Sequence, residues 1–525
     1  MARNPAAPRR RTQSKPAGAP TASDQRLMPP EDGVTVRMYR TGHGDCFLLA
    51  FAGEVPGKPI YLLIDCGYKP GSPKFINTKI DDITKSIRAA TGGHLDVAVI
   101  THEHQDHVNG ISAKRFEGIT IGETWLAWTE DPHDPVANRL RTEYKDKLLG
   151  LLAARDRLTA AGDDEQARRI GMFLRFELGG ESEEDEAVAP LLAAAGDPSQ
   201  SMNKQSMKVF KDRAQNGVRY IRPHTNIFSI PGAKDLRVFA LGPPRGEDLT
   251  DLDPRGGEVF HVESPGTYFA AAVAAGDGGE SPFANRYCIT IEDARADHYP
   301  DAFFKTRYGR DDVTPDFAPG GAARGEAEAP DNPGWRRIDK EWLYSAEQLA
   351  LDMNDYTNNA SLVLAFELGK GGKVLLFAAD AQRGNWISWA KRDWTDGDTK
   401  VTAKDLLSRT VLYKVGHHGS HNATLNGRAD DNYPNLEWMG HEDYGREFTA
   451  MITAVRAWAE TQNGWDHPLK EIKNALIAKA AGRVFQTDTD FELMAMPDGM
   501  SAADWNQFKA RVRSNLLYFD YTIPR

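Results

Sequence analysis

Between positions 101 and 110 the chain reads Thr-His-Glu-His-Gln-Asp-His-Val-Asn-Gly. Three imidazoles (His102, His104, His107) and the Asp106 carboxylate fall within six residues. Buried without partners, such groups would each cost several kcal/mol, roughly 2–7 for a neutral polar group. A divalent cation is one partner for all of them. Imidazole nitrogen and carboxylate oxygen are donors that zinc takes, and a coordination position left open makes the metal catalytic. The plain alternative, a surface loop rich in His by chance, fits four ligand-type residues in this pattern poorly. The spacing suits two metals better than one. Residues 95–100 (Leu-Asp-Val-Ala-Val-Ile) are an apolar run of β-branched type, so the ligands sit on the turn past a strand end. On an extended segment His102 and His104 point the same way. Asp106 and His107 follow where the chain turns into a helix and face a second, adjacent position.

The elements that must complete such a site also show in the sequence. A two-metal site needs a bridging carboxylate and at least one more imidazole. Residues 374–379 form a buried-type strand that ends in Asp380. Residues 411–415 form another, ending in Gly416-His417-His418-Gly419-Ser420. Three strand ends carrying ligands predict a metal site at one edge of a sheet.

With these pieces in hand, the sequence resembles the metallo-β-lactamase fold of metal-dependent hydrolases. Within it, the chain is similar to the branch typified by the hydrolase domain of the DNA-uptake channel protein ComEC. The matching pieces run in order. Gly42-His43-Gly44-Asp45-Cys46-Phe47 resembles that branch's opening turn, and Ile64-Asp65-Cys66-Gly67 its strand ending in Asp-x-Gly. His102 to His107 follow, then a strand closing in Pro243-Pro244, then Asn358-Asn359-Ala360-Ser361 and Asp380. His417-His418-Gly419-Ser420, His467-Pro468 and Thr487-Asp488 complete the set, over residues 34 to about 490. The resemblance implies an α/β fold, an αββα sandwich with two large insertions. It implies His102, His104, Asp106, His107, Asp380 and His418 as metal ligands, with His418 aligned on the following glycine. His417 is then a ligand, a substrate contact or a structural neighbour. Asn358, Asn359 and Ser420 line the site, and Asp65 orients a metal-bound imidazole from behind. Asn358 and Asn359 stand where many members of the wider fold carry another imidazole. The ComEC-like branch also has Asn there, which leaves the metal of His102 and His104 the more open one.

The reaction this implies is hydrolysis by a hydroxide shared between two divalent metals, with Asp380 bridging, Asp106 helping to hold the hydroxide and His417 beside them. Zn2+ is the first expectation from the imidazole-rich set, with Mn2+ as the alternative. The substrate implied by the resemblance is a phosphodiester, as in a nuclease. Two other readings stay open: a hydrolase of small phosphoesters or of carbon ester or amide bonds, and a non-catalytic metal-binding regulatory component. The architecture also fits a component of a multi-protein system, anti-phage defence among them, with a protein partner.

Composition sets bounds on these readings. The chain has 525 residues, 40% of them apolar, enough for a substantial core. No run of eighteen apolar residues predicts a membrane span. Three cysteines, Cys46, Cys66 and Cys288, argue against a disulfide framework, and the chain reads as cytoplasmic. A formal net charge of −11 argues against a broad nucleic-acid grip, although bound metals add positive charge where a phosphate would sit. Residues 1–33 read as a disordered basic arm with Arg9-Arg10-Arg11, and 34–525 as the hydrolase domain. Two insertions interrupt it. Residues 129–216 carry apolar positions at helical spacing, and 187–195 adds a further helical segment. Residues 245–355 are rich in Gly, Pro, Asp and Ala and read as long loop. Insertions leaving near the ligand-bearing edge are natural caps for a site. Trp386 and Trp389 share a helical face beside Arg383 and Lys391. That stripe reads first as core packing and second as a platform for bases.

Overall fold

The computed structural model describes residues 26–160, 164–180, 196–223, 226–246, 249, 258, 338–462 and 467–525. Within them, apolar runs of β-branched and aromatic residues form two main sheets. The first strands in chain order are β1 (Gly33–Tyr39), β2 (Phe47–Phe51), β3 (Ile60–Ile64), β4 (His94–Ile100), β5 (Thr120–Ala127) and β6 (Val218–Ile221). Next come β7 (Leu236–Gly242), β8 (Val363–Leu368), β9 (Lys373–Phe377), the hairpin strands β10 (Asp393–Asp396) and β11 (Thr399–Thr402), and β12 (Thr410–Lys414). The last are β13 (Thr449–Ile452), β14 (Val484–Gln486), β15 (Val512–Ser514) and β16 (Tyr518–Pro524). The larger sheet has the order β15-β16-β1-β2-β3-β4-β5-β6, and the smaller β14-β13-β12-β9-β8-β7. Strands β3 to β6 are mutually parallel, as are β9, β12, β13 and β14.

Both faces of both sheets are covered, which is why the strands read as nearly continuous apolar runs rather than as alternation. Side chains still divide by parity. Val36, Leu49, Leu62 and Val99 of the larger sheet share one core with Val238, Phe366, Leu375 and Phe377 of the smaller. The opposite parity of the larger sheet (Leu48, Leu63, Ala98) packs on Ile83 and Ile87 of α1 (Ile80–Thr91). The helices after α1 are α2 (Gln105–Val108), α3 (Pro135–Ala160), α4 (Asp164–Leu178) and α5 (Met202–Arg213). Further on lie α6 (Ile338–Asn359), α7 (Arg383–Trp389), α8 (Ala403–Ser408), α9 (Glu442–Glu447), α10 (Arg456–Ala459), α11 (Lys470–Lys479) and α12 (Ala502–Ala510). The outer face of the smaller sheet (Phe239, Leu376, Tyr413) meets Trp386 and Trp389 of α7 and Ile472 of α11. The chain is therefore a mixed α/β protein: two facing sheets with helices on their outer sides.

The insertion between β5 and β6 supplies α3, α4 and α5. Leu151 and Leu158 of α3, Ile170 and Leu174 of α4, and Leu349 and Met353 of α6 form a separate apolar cluster. Two structural expectations change here, and the first reading of the Trp386 and Trp389 stripe as core holds. The last part of the 245–355 segment is not loop but the start of α6, whose Leu349 and Met353 lie one helical turn apart and bury against the cap. The Gly- and Pro-rich composition ahead of it hid that short periodicity. Residues 26–33 are not an arm either: Leu27 is buried and donates its backbone N–H to Ala90 O at 3.0 Å. Trp386 and Trp389 are fully buried and stacked at 4.3 Å between centroids, so they are core and offer no platform to a base. The basic run at residues 9–11, the segment 187–195, the Gly-rich stretch 319–325 and Cys288 lie outside the described residues. Among the described residues no helix is long and apolar enough to cross a membrane.

Candidate metal centre

Parallel pairing brings the carboxyl ends of β3 and β4 to one edge of the larger sheet, and those of β9 and β12 to one edge of the smaller. The loops leaving these ends carry Asp65, the segment 101–107, Asp380, and His417 with His418. Ligand sites of open α/β sheets form at such carboxyl edges. The backbone is held tightly there. Asp65, Ala379, His417 and His418 have φ between 40° and 55°, the left-handed region that side chains with a Cβ avoid. Such conformations cost about 1–3 kcal/mol each and persist where the surroundings impose them. Gly67 is required for another reason: a Cβ built on it would stand 2.1 Å from Asp106 C and 2.2 Å from His107 N. The Asp65-Cys66-Gly67 turn thus presses directly on the backbone that presents Asp106 and His107.

One donor atom from each of Asp106, His107, Asp380 and His418 lies within 4.8 Å of all the others, and all four residues are buried. His418 Nε2 is 3.0 Å from Asp106 Oδ2 and 3.4 Å from Asp380 Oδ2, and His107 Nε2 is 3.1 Å from Asp380 Oδ2. His102 Nε2 and His104 Nδ1 face each other at 3.1 Å as a neighbouring pair. Tetrahedral zinc ligands at ~2.0–2.1 Å from the metal stand about 3.3 Å from one another. These separations suit atoms that share a cation, and the same atoms meet here as imidazole–carboxylate ion pairs. Asp106 Oδ1 is buried with no hydrogen-bond partner among the described residues, and His107 Nε2 and Asp380 Oδ2 have only each other and His418 as ion-pair neighbours there, a condition a bound cation would relieve. These groups could hold metal ions.

Groups behind the cluster fix how each imidazole presents itself. Asp65 Oδ2 is 2.8 Å from His107 Nδ1, and the same carboxylate accepts from Thr101 N (2.8 Å) and Thr101 Oγ1 (2.6 Å). With its Nδ1 proton held by Asp65, His107 turns Nε2 toward the cluster, where a cation would replace the second proton. His418 Nδ1 lies 3.1 Å from Thr453 O, which orients that ring in the same way. His102 Nδ1 has Ser361 Oγ at 3.3 Å, and Ser361 Oγ also accepts from the backbone N–H of Asp380 at 3.2 Å.

The electrostatics belong to a site built around positive charge. Burial opposes ionisation of Asp106, but Lys69, His418 and His107 hold its carboxyl well below the usual range. Burial opposes ionisation of Asp380 too, and His107, His418 and Lys414 pull it down in the same way. Burial works against protonation of His107 and His418. The carboxylates of Asp380, Asp45 and Asp65 nonetheless hold His107 well up, and Asp380 with Asp106 raises His418 to about 9. Burial and the neighbouring His107 and His104 hold His102 well below its ordinary value, so its lone pair is available. Lys414 Nζ lies 2.5 Å from Asp45 Oδ2, 3.4 Å from Asp380 Oδ1, and donates to Ala379 O at 2.9 Å.

His418, not its neighbour, lies in the four-residue group. His417 Nδ1 is 2.8 Å from Ser420 Oγ and 3.4 Å from Gln382 Nε2, and its Nε2 is 3.3 Å from Asn358 Nδ2. Asn358 is fully buried and its Oδ1 has no partner among the described residues. Asn359 is engaged elsewhere: it donates to Leu249 O at 2.8 Å and accepts from Asn385 N at 2.7 Å, tying this turn to α7.

Several groups at the site had no assignment from sequence. Glu177, on inserted helix α4, is buried with Oε1 2.8 Å from His104 Nε2, and it accepts a hydrogen bond from Tyr144 on α3. Phe176 packs on the His104 ring at 4.5 Å between centroids. Lys69 Nζ is 3.5 Å from Asp106 Oδ2 and 2.8 Å from the centroid of Phe176, and burial lowers its pKa to about 8. Lys414 had a sequence signal, a lone cation within the apolar run 411–415. Glu177 had none, because helical spacing cannot say which distant imidazole a carboxylate will meet. In comparison with known proteins, the chain matches no family model and no curated protein.

Proposed function

We propose that the chain is a metal-dependent hydrolase of the metallo-β-lactamase fold, in its ComEC-like branch, and that it cleaves phosphodiesters. The observation that carries this reading is the buried group of Asp106, His107, Asp380 and His418 beside the His102–His104 pair, assembled at the carboxyl edges of two facing sheets. Two facing sheets with helices outside are the layers an αββα sandwich requires. Zn2+ fits the imidazole and carboxylate donors first, and Mn2+ second. Bound there, divalent cations would supply Lewis acidity and bring the pKa of a water toward neutrality, the two things hydrolysis at a phosphorus centre needs.

The chain's own residues supply the rest. Asp65 and Thr453 keep protons on the Nδ1 atoms of His107 and His418 and turn both Nε2 atoms inward, where a bound cation would take the place of their second protons. Lys414 anchors the Asp380 carboxylate from one side. Lys69, beside Asp106, adds a positive charge where a phosphoryl oxygen would gather negative charge. His417, with Asn358, Gln382 and Ser420 around it, orients the substrate at the rim.

The test is cleavage of DNA, RNA and bis-aryl phosphate by metal-loaded protein, with an Asp106→Ala/His107→Ala variant in parallel. Cleavage that the double substitution abolishes supports the reading. Cleavage equal in the two proteins overturns it, and so does its absence across the panel. Metal retained at two equivalents without any cleavage would leave the non-catalytic, regulatory reading in its place.

A further inference from the structure

A hollow opens beside His102. It encloses about 630 Å³ between Thr101, His102 and Glu103 on one side and the inserted helices on the other. Ligand pockets span roughly 300–1,000 Å³. Among the six candidate metal ligands only His102 lies on its wall, so the cavity meets the cluster on the side of the His102–His104 pair.

The wall's charge runs against the charge of the chain. Arg141, Lys145, Lys204, Lys208 and Lys211 line it against Glu103, Glu130 and Asp197, on a chain of formal net charge −11. Lys204, Lys208 and Lys211 fall at i, i+4 and i+7 on α5, which is one helical face. Their roles differ. Lys204 is clamped by Glu103 and by Glu130 at 2.6 Å and holds the wall together. Lys211 is 3.4 Å from Glu130, and among the described residues Lys208 pairs only along its own helix with Asp212, the Lys208 and Asp212 side chains both well exposed. Exposed i,i+4 pairs of that kind are worth a few tenths of a kcal/mol and yield readily to a ligand. Opposite them, the half-buried rings of Tyr144 and Tyr356 lie 6.4 Å apart with 31° between their planes, a surface on which a flat ring can stack.

We propose that this cleft is a binding subsite for a phosphorylated nucleoside, with phosphates along Lys145, Lys208 and Lys211 and the base against Tyr144 and Tyr356. It rests on the hydrolase reading only in directing that ligand toward His102. About 630 Å³ is the size of a pocket for one small ligand, which suits a single nucleotide or a strand end rather than a duplex. A free nucleotide and the end of a single strand share this chemistry and are separate arms of the test.

The test uses the full chain, once metal-loaded and once stripped with chelator, and measures binding of ADP, of a tetrathymidylate and of inorganic pyrophosphate by calorimetry. Expected is binding of ADP or the tetranucleotide that weakens with salt in both metal states. A Lys208→Ala/Lys211→Ala variant should weaken it at least tenfold and flatten the salt dependence, with metal content unchanged. Tyr356→Ala should weaken the nucleotides about 5- to 100-fold and leave pyrophosphate alone, because stacking touches only the base. Whichever of ADP and the tetranucleotide binds tighter identifies the source. Equal affinity of wild type and the double-lysine variant overturns the subsite, as does failure of both nucleotides to bind. Binding with these properties but no cleavage of any diester would overturn the hydrolase reading alone. Cleavage whose KM ignores Lys208 and Lys211 would overturn the subsite alone.

Discussion

Asp65→Asn separates the job of holding an imidazole from the job of holding a metal. Asp65 is fully buried and is not one of the four residues of the main group, although with Asp45 and His107 it forms a second buried group that could hold a cation. One of its oxygens accepts from Thr101 N at 2.8 Å, and the other faces both Thr101 Oγ1 at 2.6 Å and His107 Nδ1 at 2.8 Å. Asparagine keeps the shape and can keep the Thr101 N bond through its own oxygen. Its amide nitrogen then meets His107 Nδ1, and two donors face each other. The ring escapes by moving its proton to Nε2, the atom 3.1 Å from Asp380 Oδ2. The metal position loses a lone pair without losing a residue. Replacing an outer partner of this kind costs about 10- to 100-fold in metal affinity, or roughly 1.4–2.8 kcal/mol at 1.4 kcal/mol per decade. Competition for Zn2+ against a chromophoric chelator near neutral pH reads that loss directly, with thermal unfolding of the metal-free protein as the check on folding. Thr101→Val, which removes the 2.6 Å hydroxyl bond to Asp65 and the longer contacts to His102 Nδ1 (3.2 Å) and His107 Nδ1 (3.4 Å), should shift affinity in the same direction by less. A folded Asp65→Asn protein that binds Zn2+ within twofold of wild type would refute the idea that Asp65 sets the His107 tautomer.

Three further outcomes follow from the same structure. Gly67→Ala puts a methyl 2.1 Å from the backbone carbon of Asp106, a clash no rotamer relieves. It should cost about 1–3 kcal/mol of stability and lower metal retention, whereas unchanged retention would mean the turn does not position Asp106 and His107. Trp386→Ala, in the stacked and fully buried pair, should cost about 3–5 kcal/mol in denaturant unfolding; a cost below 1 kcal/mol would contradict its place in the core. Asp355 donates nothing at neutral pH, and burial pushes its carboxyl up to about 6 although Gln382 donates to it at 2.9 Å. A raised folded pKa contributes stability in full below the unfolded value of about 3.9 and loses it as pH rises through about 6. Asp355→Asn should therefore raise stability at pH 8 by on the order of 1 kcal/mol, discounted because the side chain is only half-buried. It should give no gain below pH 4, and a gain that does not change with pH would contradict this assignment.

The part of the site carried by local spacing was legible in the chain. Segment 101–107, Asp380 and His418 each follow an apolar strand, and period and residue type place them on loops at strand ends without any structure. The adjacent His417 and His418 could not be separated that way, because a one-residue difference at a left-handed turn decides which ring turns inward. Glu177 and Lys69 were beyond reach for another reason. Glu177 meets His104 from an inserted helix and Lys69 meets Asp106 from the loop after β3, and no periodicity encodes either tertiary pairing. The helical character of α3 was visible in its leucines. That α6, far along the chain, completes the same apolar cluster was not. Composition hid α6 itself, and the stripe of Trp386 and Trp389 shows that aromatics at helical spacing say which face is shared but not whether it is inside.

The central claim is that the buried His and Asp groups form a two-metal hydrolytic site. Titrating the metal-free chain with Zn2+ while following both bound metal and bis-aryl phosphate cleavage tests it most directly. Saturation at two equivalents, with cleavage appearing as the second is bound and absent from the Asp106→Ala/His107→Ala protein, is the predicted result. Saturation below one equivalent, or cleavage that the double substitution leaves intact, would contradict it.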